Sequence, residues 1–202
     1  MSNKEKIISE ASKHYGKFLE SLGIDWQNEE HFKGTPNRVA KMYVNELWSG
    51  LFLPEPDIRS FKNTKMYDGM VYSGGIEIKS TCAHHNVPFF GICHVAYLPA
   101  KHGNIVGLSK LNRVAEYHAR RPSTQEDLTM DIHNHINKVC TGNLGVAVLV
   151  SCKHLCCQLR GVNQSSVMKT SKMSGEFLND ASLSRQEFYD FVKDYKSAEI
   201  LQ

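Results

Sequence analysis

The sequence has no long apolar run, and this absence excludes one broad class of protein. No stretch approaches the roughly 20 apolar residues that a helix needs to cross a bilayer. The first residues, MSNKEKIISEASKHYG, are polar and contain no apolar core of a secretion signal. We therefore expect a cytoplasmic protein without membrane contact, in which the six cysteines stay reduced and serve packing, metal binding or catalysis.

Glycine-rich phosphate loops are also missing, because neither GxGxxG nor GxxxxGK[ST] occurs. Internal repeats, heptad arrays and low-complexity tracts are absent as well. The formal net charge is only +3, which gives no argument for a nucleic-acid partner. Any phosphorylated ligand would therefore have to be held by side chains instead of a glycine loop.

Helical and strand-like patterns alternate in blocks along the chain. Helical spacing is found over 4–22, after Thr35-Pro36, over 108–120, from 124 to about 140, and after Ser184. Residues 69–79, 85–99 and 145–152 are strand-like, 154–162 is expected to form a hairpin with the last of these, and 163–174 is a solvent-facing strand or loop. The order predicts an α+β fold with antiparallel pairing, divided into an N-terminal helical region, 1–64, and a second domain, 65–202.

Thiols and imidazoles cluster in two distant segments. Cys82-Ala83-His84-His85 is one, and KHLCCQLRG, which starts at Lys153, is the other. Thiolate and imidazole are the ligands that zinc prefers, and Cys82 and His85 have the spacing of a chelating turn. The third ligand could be either cysteine of the second segment.

Two kinds of zinc site fit these residues equally well. A catalytic site would use three ligands and leave His84 and His154 for proton transfer. A structural site would use four, namely Cys82, His85, Cys156 and Cys157.

Basic residues recur at helical spacing outside these segments. Arg38 and Lys41 form one i, i+3 pair, Lys110 and Arg113 form another, and Arg160 follows the second cysteine segment. Taken singly, each is typical of a solvated helix edge. If they converge, they describe a polyphosphate clamp made of side chains.

Five collinear segments between Thr35 and Phe177 resemble the signature segments of the GTP cyclohydrolase I family. They read TPNRVAKM from Thr35, TCAHHNVPFFG from Thr81, VGLSKLNR from Val106, RPSTQEDLT from Arg121 and HLCCQLRG from His154. The resemblance implies a tunnelling-fold (T-fold) α+β subunit with an antiparallel sheet, helices on one side of it and additional N-terminal helices. It also implies a toroidal homodecamer with active sites at subunit interfaces.

The reaction implied by the resemblance converts GTP and water to 7,8-dihydroneopterin triphosphate and formate, the first step of pterin and folate-type biosynthesis. Carried over to this chain, the family's zinc ligands match Cys82, His85 and Cys156, with one Zn²⁺ per subunit. Its acid–base histidines match His84 and His154, which leaves Cys157 as a neighbour of the metal.

The same resemblance assigns the substrate contacts. Guanine recognition falls on Gln125 and Glu126, although local sequence alone favours Glu126 as part of a capping box with Ser123. The ribose and triphosphate contacts match Ser109, which joins the catalytic set, together with Lys110, Arg113 and Arg160. Arg38 and Lys41 match residues that reach the triphosphate from an adjoining subunit.

One position departs from the family pattern, because Ala83 stands where the family has glutamate. Alanine removes a carboxylate next to the zinc ligands, and such neighbours tune a metal. One alternative is therefore a zinc-bearing, nucleotide-binding T-fold protein with reduced or altered turnover. Another is a related purine-ring hydrolase of altered specificity that stops at a formylated, ring-opened product.

Overall fold

The structure is a computed structural model that describes residues 2–199, and the chain separates into two compact units between Pro54 and Glu55. In the first unit, α1 spans Asn3–Ser21 and α2 spans Thr35–Met42. A π-helical segment, Tyr43–Leu47, and a 3₁₀ turn, Ser49–Leu51, follow. These bounds confirm the two predicted N-terminal helices.

Local chemistry explains where these two helices start. The Ser2 hydroxyl accepts from the Glu5 N–H at 3.2 Å, and the Glu5 carboxylate accepts from the Ser2 N–H at 2.6 Å, which completes a capping box. Before α2, Gly34 has a φ of +80°, a conformation that other residues rarely adopt, and Pro36 lies in the first turn.

The second unit is built on a five-stranded sheet in the order β5-β2-β3-β6-β7. A separate two-stranded sheet pairs β1, Ser60–Lys62, with β4, Asn104–Val106. The strands of the main sheet are β2, Val71–Cys82; β3, Pro88–Pro99; β5, Pro122–Ser123; β6, Asn143–His154; and β7, Val167–Met173. All its pairings are antiparallel except β2 with β5, so the α+β prediction is confirmed and the sheet is mixed.

Helices cover both faces of this sheet, which corrects the expectation that they lie on one side. Along β6, Val146, Val148 and Val150 pack in one core with α3, Leu108–Ala119, and α4, Gln125–Val139. The alternate residues Ala147 and Leu149 pack in a second core with Phe188 of α6, Ser184–Glu199. Side chains alternate across a strand, so a strand buried on both sides serves two cores.

The segment after β6 also differs from its prediction. Residues 154–162 were expected to form a hairpin strand, but β6 runs on to His154 and is followed by a short helix, α5, Leu155–Gln158. The strand that pairs with β6 on its outer side is β7, within the predicted strand or loop 163–174. The hairpin prediction was wrong because strand-like composition at 154–162 did not reveal the helical turn that carries two cysteines.

The structure divides the chain at residues 54 and 55, whereas the functional boundary between 1–64 and 65–202 stays a prediction. Among residues 2–199, no helix is both long and apolar enough to cross a membrane.

Candidate metal centre and active site

Three ligand atoms converge at the end of β2. The Cys82 and Cys156 Sγ atoms and a ring nitrogen of His85 all lie within 4.8 Å of one another. Cys82 is the last residue of β2, and the turn that follows is closed by the Asn86 N–H donating to the Cys82 carbonyl at 2.7 Å. Both cysteines are buried and His85 is exposed, so this set is open to solvent on one side.

Cys157 lies next to this set but not within it. Its Sγ is 3.9 Å from that of Cys156, and in the part of the chain the structure describes it joins no group of converging metal-ligand atoms. Burial and the neighbouring Cys157 and Cys82 thiols raise the pKa of Cys156 to about 11. A divalent cation would reverse this shift, because it favours the thiolate.

The side chains of His84 and Arg160 lie close to the ligand atoms. Nδ1 of His84 is 3.6 Å from Cys82 Sγ, and the residue is exposed. Nη1 of Arg160 donates to His85 Nε2 at 3.1 Å, because a guanidinium can only donate. The structure therefore brings His84 and Arg160 to the ligand set.

His154 is held by its neighbours on two sides. Its ring stacks on Phe89 with centroids 4.5 Å apart and planes 8° apart, and its Nε2 lies 2.8 Å from Gln125 Oε1. The Gln125 amide nitrogen donates to the carbonyls of Val150 and Met168 and to the Thr170 hydroxyl, which are all acceptors. The amide oxygen must therefore face His154, whose Nε2 carries the hydrogen and donates it.

Burial lowers the pKa of His154, and the Glu126 carboxylate acts in the opposite direction. The imidazole is therefore neutral at pH 7, with Nδ1 as its unprotonated nitrogen.

Gln125 and Glu126 have different surroundings, although the sequence assigned both to guanine. The Gln125 side chain is buried and all its polar atoms are engaged inside the protein. Glu126 is exposed. The predicted capping box with Glu126 does not form, because Thr124 is the N-cap of α4 and accepts from the Asp127 N–H at 3.1 Å.

The basic residues that the sequence singled out are distributed over both units. Ser109 and Arg113 are exposed and Lys110 is half-buried at the start of α3, which has Gly107 as its N-cap. Within residues 2–199, no hydrogen bond or ion pair joins these three to the Cys/His set. In the first unit, Lys41 is exposed and the Arg38 guanidinium donates to the His31 and Lys33 carbonyls and the Thr35 hydroxyl.

Sequence reasoning missed Phe89 and Thr170. Phe89 is fully buried under His154, and Thr170 on β7 supports Gln125. Phe89 lies in the predicted strand that follows the metal motif, and this position could have identified it as a neighbour of the site. Thr170 has no local signal, because its role depends on the pairing of β6 with β7.

A Cys, His, Cys ligand set with an open side is typical of the catalytic centre of a metal-dependent enzyme, and a buried histidine held in one tautomer lies two residues before the ligand Cys156. The comparisons with known proteins agree with this class. The sequence profile described as GTP cyclohydrolase I matches residues 11–193, and the chain belongs to this family of enzymes.

Its relatives cover nearly the whole chain. It is 39% identical over 191 residues to GTP cyclohydrolase 1 of Flavobacterium johnsoniae, covering 94% of this chain and 83% of that protein. It is 41% identical over 180 residues to GTP cyclohydrolase 1 of a Sulfurihydrogenibium species, with coverages of 89% and 91%. It is 40% identical over 199 residues to GTP cyclohydrolase 1 of Bacteroides fragilis, with coverages of 96% and 99%.

Proposed function

We propose that the chain uses zinc to convert GTP and water to 7,8-dihydroneopterin triphosphate and formate, the first step of pterin and folate-type biosynthesis. The observation that carries this proposal is the convergence of Cys82, His85 and Cys156 within 4.8 Å, in a chain of the GTP cyclohydrolase I family. The reaction belongs in the cytoplasm, where the thiols stay reduced.

The donor set fits zinc. Two thiols and one imidazole suit Zn²⁺ better than Mg²⁺ or Ca²⁺, which prefer oxygen ligands. Three protein ligands and an exposed His85 leave room for solvent at the ion. When bound, zinc supplies Lewis acidity and a water of lowered pKa.

We assign the proton transfers to the two histidines beside this set. His154 is held by Gln125 and Phe89, so its unprotonated Nδ1 can take up a proton and pass it to the purine ring nitrogen next to C8, while Nε2–H stays bonded to Gln125. His84 is exposed beside Cys82, where it can exchange protons with solvent during ribose opening and rearrangement. Ser109 is assigned to the ribose.

Guanine specificity is assigned to Glu126. Its exposed carboxylate can accept from the N1–H and the exocyclic amine of guanine. Adenine lacks this donor edge and would leave the carboxylate unpaired, so it would be rejected. Direct guanine contact by Gln125, as the resemblance implies, would require its amide to leave several internal hydrogen bonds.

The triphosphate is assigned to Lys110, Arg113 and Arg160, with Arg38 and Lys41 contributing from an adjoining subunit. Binding three phosphates far from C8 provides free energy that helps to position the reacting ring. Arg160 also contacts His85, so substrate binding would draw it away from the metal ligand.

A homodecamer with a T-fold subunit fits the open edges of the sheet. Within residues 2–199, β2 has a strand partner on its outer side only at Thr81 and Cys82, and β7 has none on its outer side. The two edges expose unpaired backbone groups, which can pair with those of neighbouring copies and close a ring. Such pairing would bring the α3 residues of one copy near the ligand set of another.

Alanine at position 83 is compatible with the proposed enzyme and does not require the alternative, a zinc-bearing, nucleotide-binding protein with reduced turnover. The Ala83 N–H donates to the Ser123 carbonyl at 3.1 Å, so the backbone of the metal turn is held without a carboxylate at this position. The comparisons give the alternative no support.

One assay tests the proposal. The zinc-loaded protein is incubated with GTP, and formate and the pterin chromophore are followed together. Release of both supports the proposed reaction. Binding of GTP without either product would contradict it, and a formylated, ring-opened product without pterin would show that the chain stops at an earlier step.

A further inference from the structure

A cavity of about 540 Å³ lies between the sheet and α6, on the opposite face from the core that contains α3 and α4. The sheet side of the cavity includes Leu149 and Ser151 of β6 and Lys169 of β7. The helix side includes Tyr189 and Val192, which are three residues apart on α6 and so share one face of it. None of these residues belongs to the metal centre.

Small side chains on the sheet explain why the space is not filled. Ser171 pairs in register with Leu149, and Ser151 pairs with Lys169, so these four residues form two adjacent rows on one face. Elsewhere on the same face, Phe188 of α6 is fully buried against Ala96 and Leu98. The two serines put hydroxyl groups where that core has apolar side chains, and a polar cavity remains.

Several donors at this cavity have no partner among the groups that the structure describes. Within that part of the chain, the hydroxyls of Ser151, Ser171 and Tyr189 form no hydrogen bond, and the Lys169 ammonium has no carboxylate within ion-pair distance. Lys193 differs, because it pairs with Asp190 at 3.1 Å. The cavity therefore combines an uncompensated positive charge with free hydroxyl donors, which suits an anion.

These donors lie close together. Residues directly opposite in an antiparallel pair have Cβ atoms about 4.5–5.5 Å apart, so Lys169 and Ser151 are neighbours. Ser171 is two residues from Lys169 on the same strand and the same face. An anionic group at this point can contact all three, while Leu149, Val192 and the Tyr189 ring form an apolar wall beside it.

We propose that this cavity binds a small organic anion, a flat apolar ring that carries one carboxylate or phosphate group. The volume lies within the range of about 300–1,000 Å³ that is usual for small-molecule sites. The proposed pairing of copies at the edges of β2 and β7 would extend the sheet sideways, and the residues of this cavity that lie on α6 are not part of those edges.

The direct test measures binding of benzoate and phenyl phosphate to the assembled, zinc-loaded protein by ligand-observed NMR and calorimetry. Benzamide, which has the same ring and no charge, is the matched probe. We expect saturable binding of at least one of the two anions, with the comparison showing which anionic group is preferred, and at least about tenfold weaker binding of benzamide. Equal binding of all three probes would overturn the assignment of an anion site.

Variants on β7 show where the anion binds. Lys169→Met should weaken binding about tenfold or more, and it should leave the melting temperature unchanged because the residue is exposed. Lys172→Met is the control, since Lys172 pairs with Val148 and lies on the opposite face of the same strand. If both variants bind the anion as the unchanged protein does, it binds elsewhere, for example at the triphosphate residues, and the proposal fails.

Ser171→Leu provides a second, independent test. Leucine at this position fills part of the cavity, so the anion should be excluded while the protein keeps or raises its melting temperature. Undiminished binding by a folded Ser171→Leu variant would contradict the proposed location.

Discussion

Nε2 of the half-buried His118 on α3 lies 2.9 Å from Nδ1 of the buried His135 on α4, and the two imidazoles are joined by one hydrogen bond. Their ring centroids are 5.2 Å apart, as expected when the two nitrogens point at each other. On the far side of the pair, His135 Nε2 is 3.1 Å from the Glu55 carboxylate, and His118 Nδ1 is 3.9 Å from Asp131. Only one hydrogen fits between the rings, so the two facing nitrogens cannot both be protonated.

This pair predicts a loss of stability in acid. Burial lowers the pKa of His118 from 6.5 to about 4, and His135 and Arg121 act in the same direction. Between these values the unfolded chain binds a proton that the folded chain does not, so the stabilising contribution is complete above pH 6.5 and is lost as the pH falls to 4. The expected loss from His118 is up to about 3 kcal/mol in the free energy of unfolding.

Urea unfolding at a series of pH values checks this expectation. The difference in unfolding free energy between pH 7 and pH 4 should shrink in His118→Phe. The exposed His102 provides the matched control, because His102→Phe should leave the pH dependence as it was. An unchanged pH dependence in His118→Phe would show that the pair does not contribute to acid lability.

The second prediction concerns the third metal ligand. Cys156→Ser should reduce the bound zinc to well below one ion per chain and abolish formate release, because serine replaces a thiolate that zinc prefers. Cys157→Ser, one residue further along α5, should keep the metal, since Cys157 lies outside the converging set. Metal analysis after dialysis checks both variants, and loss of zinc from Cys157→Ser alone would reverse the assignment.

The third prediction separates His154 from the metal. His154→Ala should abolish conversion of GTP while one zinc ion stays bound, because the three converging ligand atoms do not include this residue. Zinc content and formate release are measured on the same preparation. Substantial formate release by this variant would remove His154 from the proton-transfer role.

The fourth prediction concerns Gln125. Gln125→Leu should lower the free energy of unfolding by about 1–3 kcal/mol, because it leaves the Val150 and Met168 carbonyls without this donor. It should also lower formate release at least about tenfold, because His154 loses the acceptor that orients it.

Thermal unfolding and formate assays test both effects of Gln125→Leu. The exposed Gln164 provides a control. Gln164→Leu should change the free energy of unfolding by less than about 0.5 kcal/mol and should leave formate release unchanged. If Gln125→Leu is destabilised but keeps full turnover, its hydrogen bonds are structural only.

The two segments that supply the metal ligands could be identified from the sequence, because zinc chemistry limits the choice of residues and Cys82 and His85 have chelating spacing. The choice of Cys156 over Cys157 came from the family resemblance, since spacing alone left both open. The internal partners of Gln125 could not be predicted from the sequence, because the groups that surround its amide come from β6 and β7, and the pairing of distant strands is not visible in a local motif.

Packing between elements explains the other differences. The helical pattern of α6 identified which of its residues are apolar, but it carried no information about which face of the sheet they would cover. The His118–His135 pair likewise depends on the axial offset between α3 and α4, and the packing of both helices in one core sets that offset.

The hydrogen bonds around Gln125 have a consequence for how the sequence can vary over evolution. The Gln125 amide forms hydrogen bonds with His154, Thr170 and two backbone carbonyls. A substitution at position 125 would therefore remove a hydrogen-bond partner from both His154 and Thr170. Neutral drift at any one of these three positions is blocked unless the others change in step. Across homologues, we expect positions 125, 154 and 170 to be inherited as a unit, whereas an exposed residue such as Gln164 is free to vary independently.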